Sequence, residues 1–295
     1  MLDDKIIDFR KKYKTDERFI SRIPNPHFKY IGIDVWNEAS AAILAGKNLL
    51  LVGEKSTGKN VLSENLAMAF QRPIWTASFH INMDASILIG TDTLKNGNVE
   101  FRPGPIYSAA KYGGFAILDE INMAKNEAIA VLHASLDYRR IIDVPGYENI
   151  NLHPATRFIA TMNYDYQGTR ELNEALLSRF VVIQMPTIKE DNLHKLIKTE
   201  YPNMKTDYIN QLSLLFFDLK NKAKAGETSD SAPDLRGIFD AVDLVKEGIS
   251  LDKALELTIV NKLFDEFERD LILDLIKARF NKALYYNDIF ETNIL

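Results

Sequence analysis

The run Gly53-Glu54-Lys55-Ser56-Thr57-Gly58-Lys59-Asn60 has the spacing of a phosphate loop, G-x-x-x-x-G-K, with Asn60 where Ser or Thr is expected. The spacing has a chemical reason. Glycines let the backbone turn so that successive N–H groups point at phosphate oxygens, and the helix that follows adds its positive end. Lys59 is then the cation for the β- and γ-phosphates, and Val61 carries the loop into the helix. A hydroxyl at position 60 would ligate Mg²⁺. The Asn carboxamide is also an oxygen donor, but a longer one. Residues Gly53 to Val61 are therefore candidate ATP contacts and Asn60 a candidate metal ligand, with metal geometry and hydrolysis rate left open.

A second set lies downstream. Phe115-Ala116-Ile117-Leu118-Asp119-Glu120 is four apolar residues followed by two acids. Carboxylates at the carboxyl end of a buried strand stand where doubly wound sheets bind ligands. Asp119 is the candidate Mg²⁺ holder, and Glu120 the group that polarises the attacking water. Asn163 follows the strand Phe158-Ile159-Ala160-Thr161-Met162 and can orient that water; a turn asparagine is the competing reading. Arg179, in Leu176-Leu177-Ser178-Arg179-Phe180, stands between a helix and a strand, where an arginine can reach a γ-phosphate on a neighbouring subunit. A surface salt bridge is its other reading. Arg236, in Pro233-Asp234-Leu235-Arg236, opens a later helix and can close over the nucleotide; a plain surface arginine is the alternative. His27, His80, His133, His153 and His194 show no metal-ligand spacing. Lys111 and Tyr112 read as packing residues.

Short apolar runs must carry these groups. Strands are expected at Asn48–Val52, Ile74–Phe79, Phe115–Leu118, Arg157–Met162 and Val181–Gln184, with helices between them. This alternation predicts an α/β fold with a doubly wound parallel sheet. Ahead of it, Asp3 to Tyr13 reads as an amphipathic helix, and Asp34 as the cap of a helix that runs to Leu44 and ends at Gly46. Beyond Pro186 apolar residues recur at helical spacing, as in Leu212, Leu215, Phe216 and Leu219. Four or five helices are expected there, with Ala223–Ala232 as a loop. The expected division is an N-terminal helix at 1–22, a nucleotide-binding domain at 23–187 and a helical lid domain at 188–295.

Composition sets outer limits. The 295 residues are 46% apolar and 26% charged, as in a globular protein. The absence of cysteine removes disulfides and thiol chemistry. No apolar run approaches a membrane span, and the acidic opening Met1-Leu2-Asp3-Asp4 lacks the apolar segment of a signal peptide. A cytoplasmic protein is expected. A net charge of -5 argues against non-specific nucleic-acid binding.

Taken together, the motifs resemble the AAA+ superfamily from about Ile23 to Val245. Ile89-Gly90, Asn96-Gly97-Asn98-Val99-Glu100-Phe101-Arg102-Pro103-Gly104-Pro105-Ile106 and Ala109 to Gly114 are similar to the MoxR-type and dynein-related group, in which a β-hairpin insert precedes a Gly-Pro helix start. Leu136-Asp137-Tyr138-Arg139-Arg140 and His153-Pro154-Ala155-Thr156-Arg157-Phe158 resemble the Q-type ATPases that activate Rubisco or nitric oxide reductase, and gas-vesicle protein N. The resemblance implies a P-loop NTPase sheet of five parallel strands in the order 5-1-4-3-2. It also implies ATP and Mg²⁺ as cofactors and a hexameric ring with nucleotide at the subunit junctions. Asn163 becomes sensor 1, Arg179 a finger acting in trans and Arg236 sensor 2. A von Willebrand A-domain partner and chaperone-like remodelling of a client protein come with it. Arg140–Asn151, around Pro145-Gly146, either lines the pore or is a plain surface hairpin. Two other functions stay open. One is a nucleotide-dependent assembly scaffold with hydrolysis weakened by Asn60. The other is a nucleic-acid motor subunit, against which the acidic balance argues.

Overall fold

Leu49, Leu50 and Leu51, consecutive on β1 (Asn48–Val52), are all fully buried, so this strand has no solvent face. Leu50 and Val52 enter one hydrophobic cluster with Trp75, Ala116, Leu118 and Phe158. Leu49 and Leu51 enter another with Ile43, Leu62, Phe115 and Ile159. Side chains alternate across a strand, so a continuous apolar run serves two cores at once. That is why the run does not read as an amphipathic strand.

The computed structural model describes residues 2–144, 146–163 and 172–291. The chain forms two compact units, Met1–Thr187 and Ile188–Leu295. In the first, the other strands are β2 (Ile74–Ser78), β3 (Gly90–Lys95), β4 (Asn98–Pro103), β5 (Phe115–Asp119), β6 (Ile141–Ile142), β7 (Ile150–Asn151), β8 (Arg157–Met162) and β9 (Phe180–Gln184). Its helices are α1 (Leu2–Lys12), α2 (Ile33–Leu44), α3 (Lys59–Ala69), α4 (Ala85–Ile89), α5 (Pro105–Tyr112), α6 (Asn126–Ala130), α7 (His133–Leu136) and α8 (Glu174–Leu177). The second unit holds α9 (Glu190–Glu200), α10 (Thr206–Lys224), α11 (Leu235–Lys246), α12 (Leu251–Thr258), α13 (Glu266–Arg279) and α14 (Tyr286–Ile289).

The main sheet runs β2-β5-β8-β1-β9 with every pair parallel. Counted over these five strands from the β9 edge, the order is 5-1-4-3-2, as the resemblance implies. The strand limits differ from the sequence reading by a residue at most at each end. α2 departs from it: Gly32 is its N-cap, and Asp34 lies inside the first turn, where a carboxylate still favours the positive helix end. The C-terminus follows expectation. Gly46 is left-handed at φ 79°, with Lys47 N bonded to Ala42 O and Gly46 N to Ile43 O. α10 runs to Lys224, so the loop after it starts later than composition suggests.

The hairpin β3–β4 pairs Lys95 with Asn98 across Asn96-Gly97, both at positive φ (52° and 82°) as a two-residue turn demands. α5 follows with Pro105 in its first turn. The second hairpin is small: β6 and β7 pair through Ile141–Asn151 and Ile142–Ile150. Pro145 lies outside the described residues. Tyr147 from its loop donates a 2.6 Å hydrogen bond to Asp92 of β3 and tilts against Phe101, joining the two hairpins.

Candidate nucleotide site

The P-loop leaves β1 at Gly53 and enters α3 at Lys59. Gly53 is packed so tightly that a Cβ there would lie 2.9 Å from Met185 Cβ and 3.0 Å from Met185 O. Gly58 caps α3 in the left-handed region at φ 83°. Glu54, Lys55 and Ser56 are exposed, and Thr57 closes the loop by donating to Glu54 O at 2.9 Å. Val61 is half-buried in the first turn of α3.

Lys59 is only 8% exposed. Its ammonium folds back onto the loop, 2.8 Å from Gly53 O and 2.7 Å from Glu54 O. Burial pushes Lys59 down to about 8, against the opposing pull of Asp119, Glu120 and Glu54. A polyanion placed on the loop would restore the charged form.

The acids follow from strand order. β8 lies between β1 and β5, so the carboxyl ends of all three converge. Asn60 Nδ2 donates to Asp119 Oδ2 at 3.3 Å across the gap between α3 and β5. Asn163 Nδ2 donates to Glu120 Oε1, also at 3.3 Å. Glu120 itself is left-handed, at φ 55° and ψ 46°. For a residue with a Cβ this is strained backbone, the kind that packing tolerates at functional sites. Oxygen donors from one carboxylate and one amide suit Mg²⁺, which is commonly held by one or two carboxylates together with phosphates and water. The Asn60 amide bonds Asp119 through its nitrogen, so its oxygen is the atom that would ligate the ion.

Sequence reasoning missed what fixes these acids. Thr161, 1% exposed, donates to Asp119 Oδ1 at 2.6 Å and accepts from Glu120 N at 3.0 Å. The only advance signal was a single hydroxyl in the otherwise apolar run Phe158–Met162. Asn122 was also missed; its Nδ2 donates to Asn163 O at 3.0 Å. Thr161→Val keeps the shape and removes both bonds. The expected result is a stability loss of about 1–3 kcal/mol and a lower turnover with ATP affinity retained, read from urea unfolding and steady-state hydrolysis. Unchanged turnover would separate the hydroxyl from the acids' function.

Arg179 does not join this cluster. β9 begins beside β1 with Phe180 opposite Asn48, whereas the P-loop leaves the far end of β1. A five-residue strand at about 3.3 Å per residue separates the two ends. Arg179 Nη1 donates to Ala175 O, Nη2 lies 3.8 Å from Asp137 Oδ2, and Nε is buried without an acceptor among the described residues. Asp137 is chiefly engaged by Arg139, whose fork bonds at 3.2 Å to Oδ1 and 2.7 Å to Oδ2 and holds the Asp137 carboxyl below its usual range. Arg236 is exposed in the first turn of α11, in the second unit. Lys111 and Tyr112 pack as expected, Lys111 over the Tyr107 ring at 5.4 Å and Tyr112 stacked on Trp75.

Comparison with known proteins places this geometry. The profile described as "AAA domain (dynein-related subfamily)" matches residues 48–180, from β1 to the start of β9. An uncharacterised protein of Staphylococcus saprophyticus is 36% identical over 259 residues, spanning 85% of this chain and 98% of the relative. One from Staphylococcus aureus is 35% identical over 260 residues, spanning 86% and 98%. Among solved structures, an inferred ATPase from Cytophaga hutchinsonii superposes with a TM-score of 0.51 at 16% identity, over 96% of this chain and 97% of that one, a likeness of fold. With the P-loop, the paired acids, the 5-1-4-3-2 sheet and the hairpin before α5 all present, the chain belongs to the dynein-related (MoxR-like) subfamily of AAA ATPases.

Proposed function

We propose that the protein is a Mg²⁺-dependent ATPase that works as a ring and remodels a partner protein. The observation that carries this reading is the meeting of Lys59, Asn60, Asp119, Glu120 and Asn163 at the carboxyl ends of three neighbouring strands. Lys59 would exchange the carbonyls of Gly53 and Glu54 for β- and γ-phosphate oxygens, alongside the N–H groups of residues 54–61. Asp119 and Asn60 would hold Mg²⁺, which when bound neutralises charge on the phosphates. Glu120 would take the proton of the attacking water, with its carboxylate oriented by Asn163. Arg179 would serve the nucleotide of the next subunit, since it lies at the end of the sheet opposite its own P-loop. Arg236 is assigned as sensor 2 on the family resemblance. A hexamer, a von Willebrand A-domain partner and a client enzyme are assigned on the same resemblance to the Q-type and gas-vesicle N proteins.

Lys59→Ala tests the reading. It should abolish binding of a fluorescent ATP analogue, because the one buried cation at the loop is gone. The parent should also take up protons when it binds ATP near pH 8.5. Free Lys59 is mostly neutral above about pH 8, and phosphate charge draws the proton back. Calorimetry in buffers of different ionisation enthalpy reads this. Equal heats across buffers would show that Lys59 is already charged in the free protein; undiminished affinity in Lys59→Ala would sink the assignment.

A second reading rests on Asn60. Its amide bonds Asp119, so a nucleotide-gated scaffold with slow hydrolysis is the alternative. Mg²⁺ tolerates little deviation from ligands at roughly 2.0–2.1 Å, and positioning supplies most of phosphoryl-transfer catalysis. Asn60→Thr is therefore expected to raise turnover severalfold, lower the Mg²⁺ needed for half-maximal rate, or both. An identical Mg²⁺ profile and rate would show that the amide is an adequate ligand and remove the scaffold's main support.

A further inference from the structure

At the amino end of the sheet, away from the P-loop, an open cavity of about 380 Å³ is bordered by Gly46, Tyr138, Arg139, Arg140, Asn151 and Arg157. Three guanidinium groups share it. Arg139 has a counter-ion in Asp137. Arg140 and Arg157 meet no carboxylate among the described residues, and their hydrogen bonds all go to main-chain carbonyls. Arg157, 5% exposed, donates from Nε to Ile43 O at 2.9 Å and from Nη1 to Pro154 O and Thr156 O at 2.8 and 2.7 Å. Arg140 donates from Nη2 to His153 O and Thr156 O at 3.2 and 3.1 Å. Arg157 Nη2 and Arg140 Nε and Nη1 therefore have no acceptor among the described residues.

A structural role explains part of this. Arg157 caps a carbonyl of the last turn of α2, as arginines often do. The guanidinium also lies 5.9 Å from the centroid of the Phe9 ring. These contacts leave Nη2 without an acceptor among the described residues, and carbonyl dipoles satisfy donors without cancelling a net charge. The two arginines also oppose each other: burial first, then the neighbouring Arg140, pushes Arg157 down to about 10. Arg140 is held at φ 49°, a left-handed backbone with no glycine to ease it. Gly46 borders the guanidinium: a Cβ there would lie 3.9 Å from Arg157 Nη2, in ordinary van der Waals contact.

We propose that this cavity binds a phosphoryl group, gripped by Arg140 and Arg157 with Arg139 at its edge. The charge matches: three guanidiniums less the Asp137 carboxylate leave +2, suited to a dianion. The shape matches as well. Arginine forks bond phosphate oxygens in pairs, and a tetrahedral group presents oxygens to guanidiniums arriving from several sides, whereas a carboxylate presents two in one plane. Tyr138, 91% exposed at the rim, offers a ring on which a base can stack. The phosphoryl group is thus either free phosphate or the phosphate of a nucleoside monophosphate. The site is independent of the ATPase reading.

The test uses the full chain carrying Lys59→Ala, which removes the P-loop cation as a competitor. It is titrated calorimetrically at low ionic strength with inorganic phosphate and with AMP. Arg157→Ala risks the fold, so the decisive variant is Asn151→Asp in the same background. It sets a carboxylate at an exposed rim position and leaves the carbonyl bonds of both arginines in place. The expected result is saturable binding that Asn151→Asp weakens at least tenfold with an unchanged circular dichroism spectrum. AMP binding more tightly than phosphate, and falling to the phosphate level in Tyr138→Ala, would identify the nucleotide source; equal affinities would identify free phosphate. Absence of binding in the Lys59→Ala protein, or binding indifferent to Asn151→Asp, overturns the proposal.

Discussion

Arg179→Ala is expected to bind ATP as the parent does and to hydrolyse it about 10³–10⁵ times more slowly, the range seen when an arginine finger is withdrawn. On the proposed reading, the effect would come across a subunit boundary. Within one chain Arg179 precedes β9, level with the first residue of β1, and the P-loop leaves the other end of that strand. Its own nucleotide is out of reach, while its side chain is partly exposed. The 3.8 Å approach of Nη2 to Asp137 is loose for an ion pair, and Nε has no acceptor among the described residues. Little opposes transfer of this guanidinium to a stronger anion. Mixing Arg179→Ala with Lys59→Ala protein should restore part of the activity, because some junctions then pair an intact P-loop with an intact finger. Failure of rescue in rings shown to be mixed would refute action in trans. A full rate in Arg179→Ala alone would remove the finger altogether.

Glu120→Gln should lose about 10²–10⁴ in turnover, the usual contribution of a positioned general base, while ATP affinity stays at the parental level. The amide cannot accept the water's proton, yet it is nearly the same size and can still meet Asn163. Thr161 continues to hold Asp119 through its own hydroxyl, so the carboxylate proposed to hold Mg²⁺ is untouched. Single-turnover hydrolysis beside equilibrium binding separates the two effects. Parental turnover in Glu120→Gln would move the base elsewhere. Joint loss of binding and turnover would show instead that the left-handed turn at Glu120 needs the carboxylate for its structure. The variant should also trap the ATP-bound form, which makes it the natural bait in a search for the partner protein that the proposed function calls for.

The chain order of the chemistry was open to reading because each piece is local. A phosphate loop needs its glycines at fixed spacing, and a strand buried on both faces needs an unbroken apolar run, so Asn48–Val52 and Phe115–Leu118 announced themselves along with the groups at their ends. The helical spacing of Leu212, Leu215, Phe216 and Leu219, all buried on or near one face of α10, was legible for the same reason. What joins distant segments was not. That Thr161 bridges Asp119 and Glu120 depends on β8 lying beside β5 in one register, with Leu118 opposite Ala160. No local pattern encodes that pairing. That Lys59 is buried on its own loop's carbonyls, and so brought down to about 8, depends on the packing that closes over it. The bond from Asn60 to Asp119 joins residues 59 positions apart, so the departure from the motif was visible in the sequence and its partner was not. Arg140 and Arg157 looked like parts of a family pattern. Only the folded chain sets them side by side without an acid, because charge balance is a property of neighbours in space.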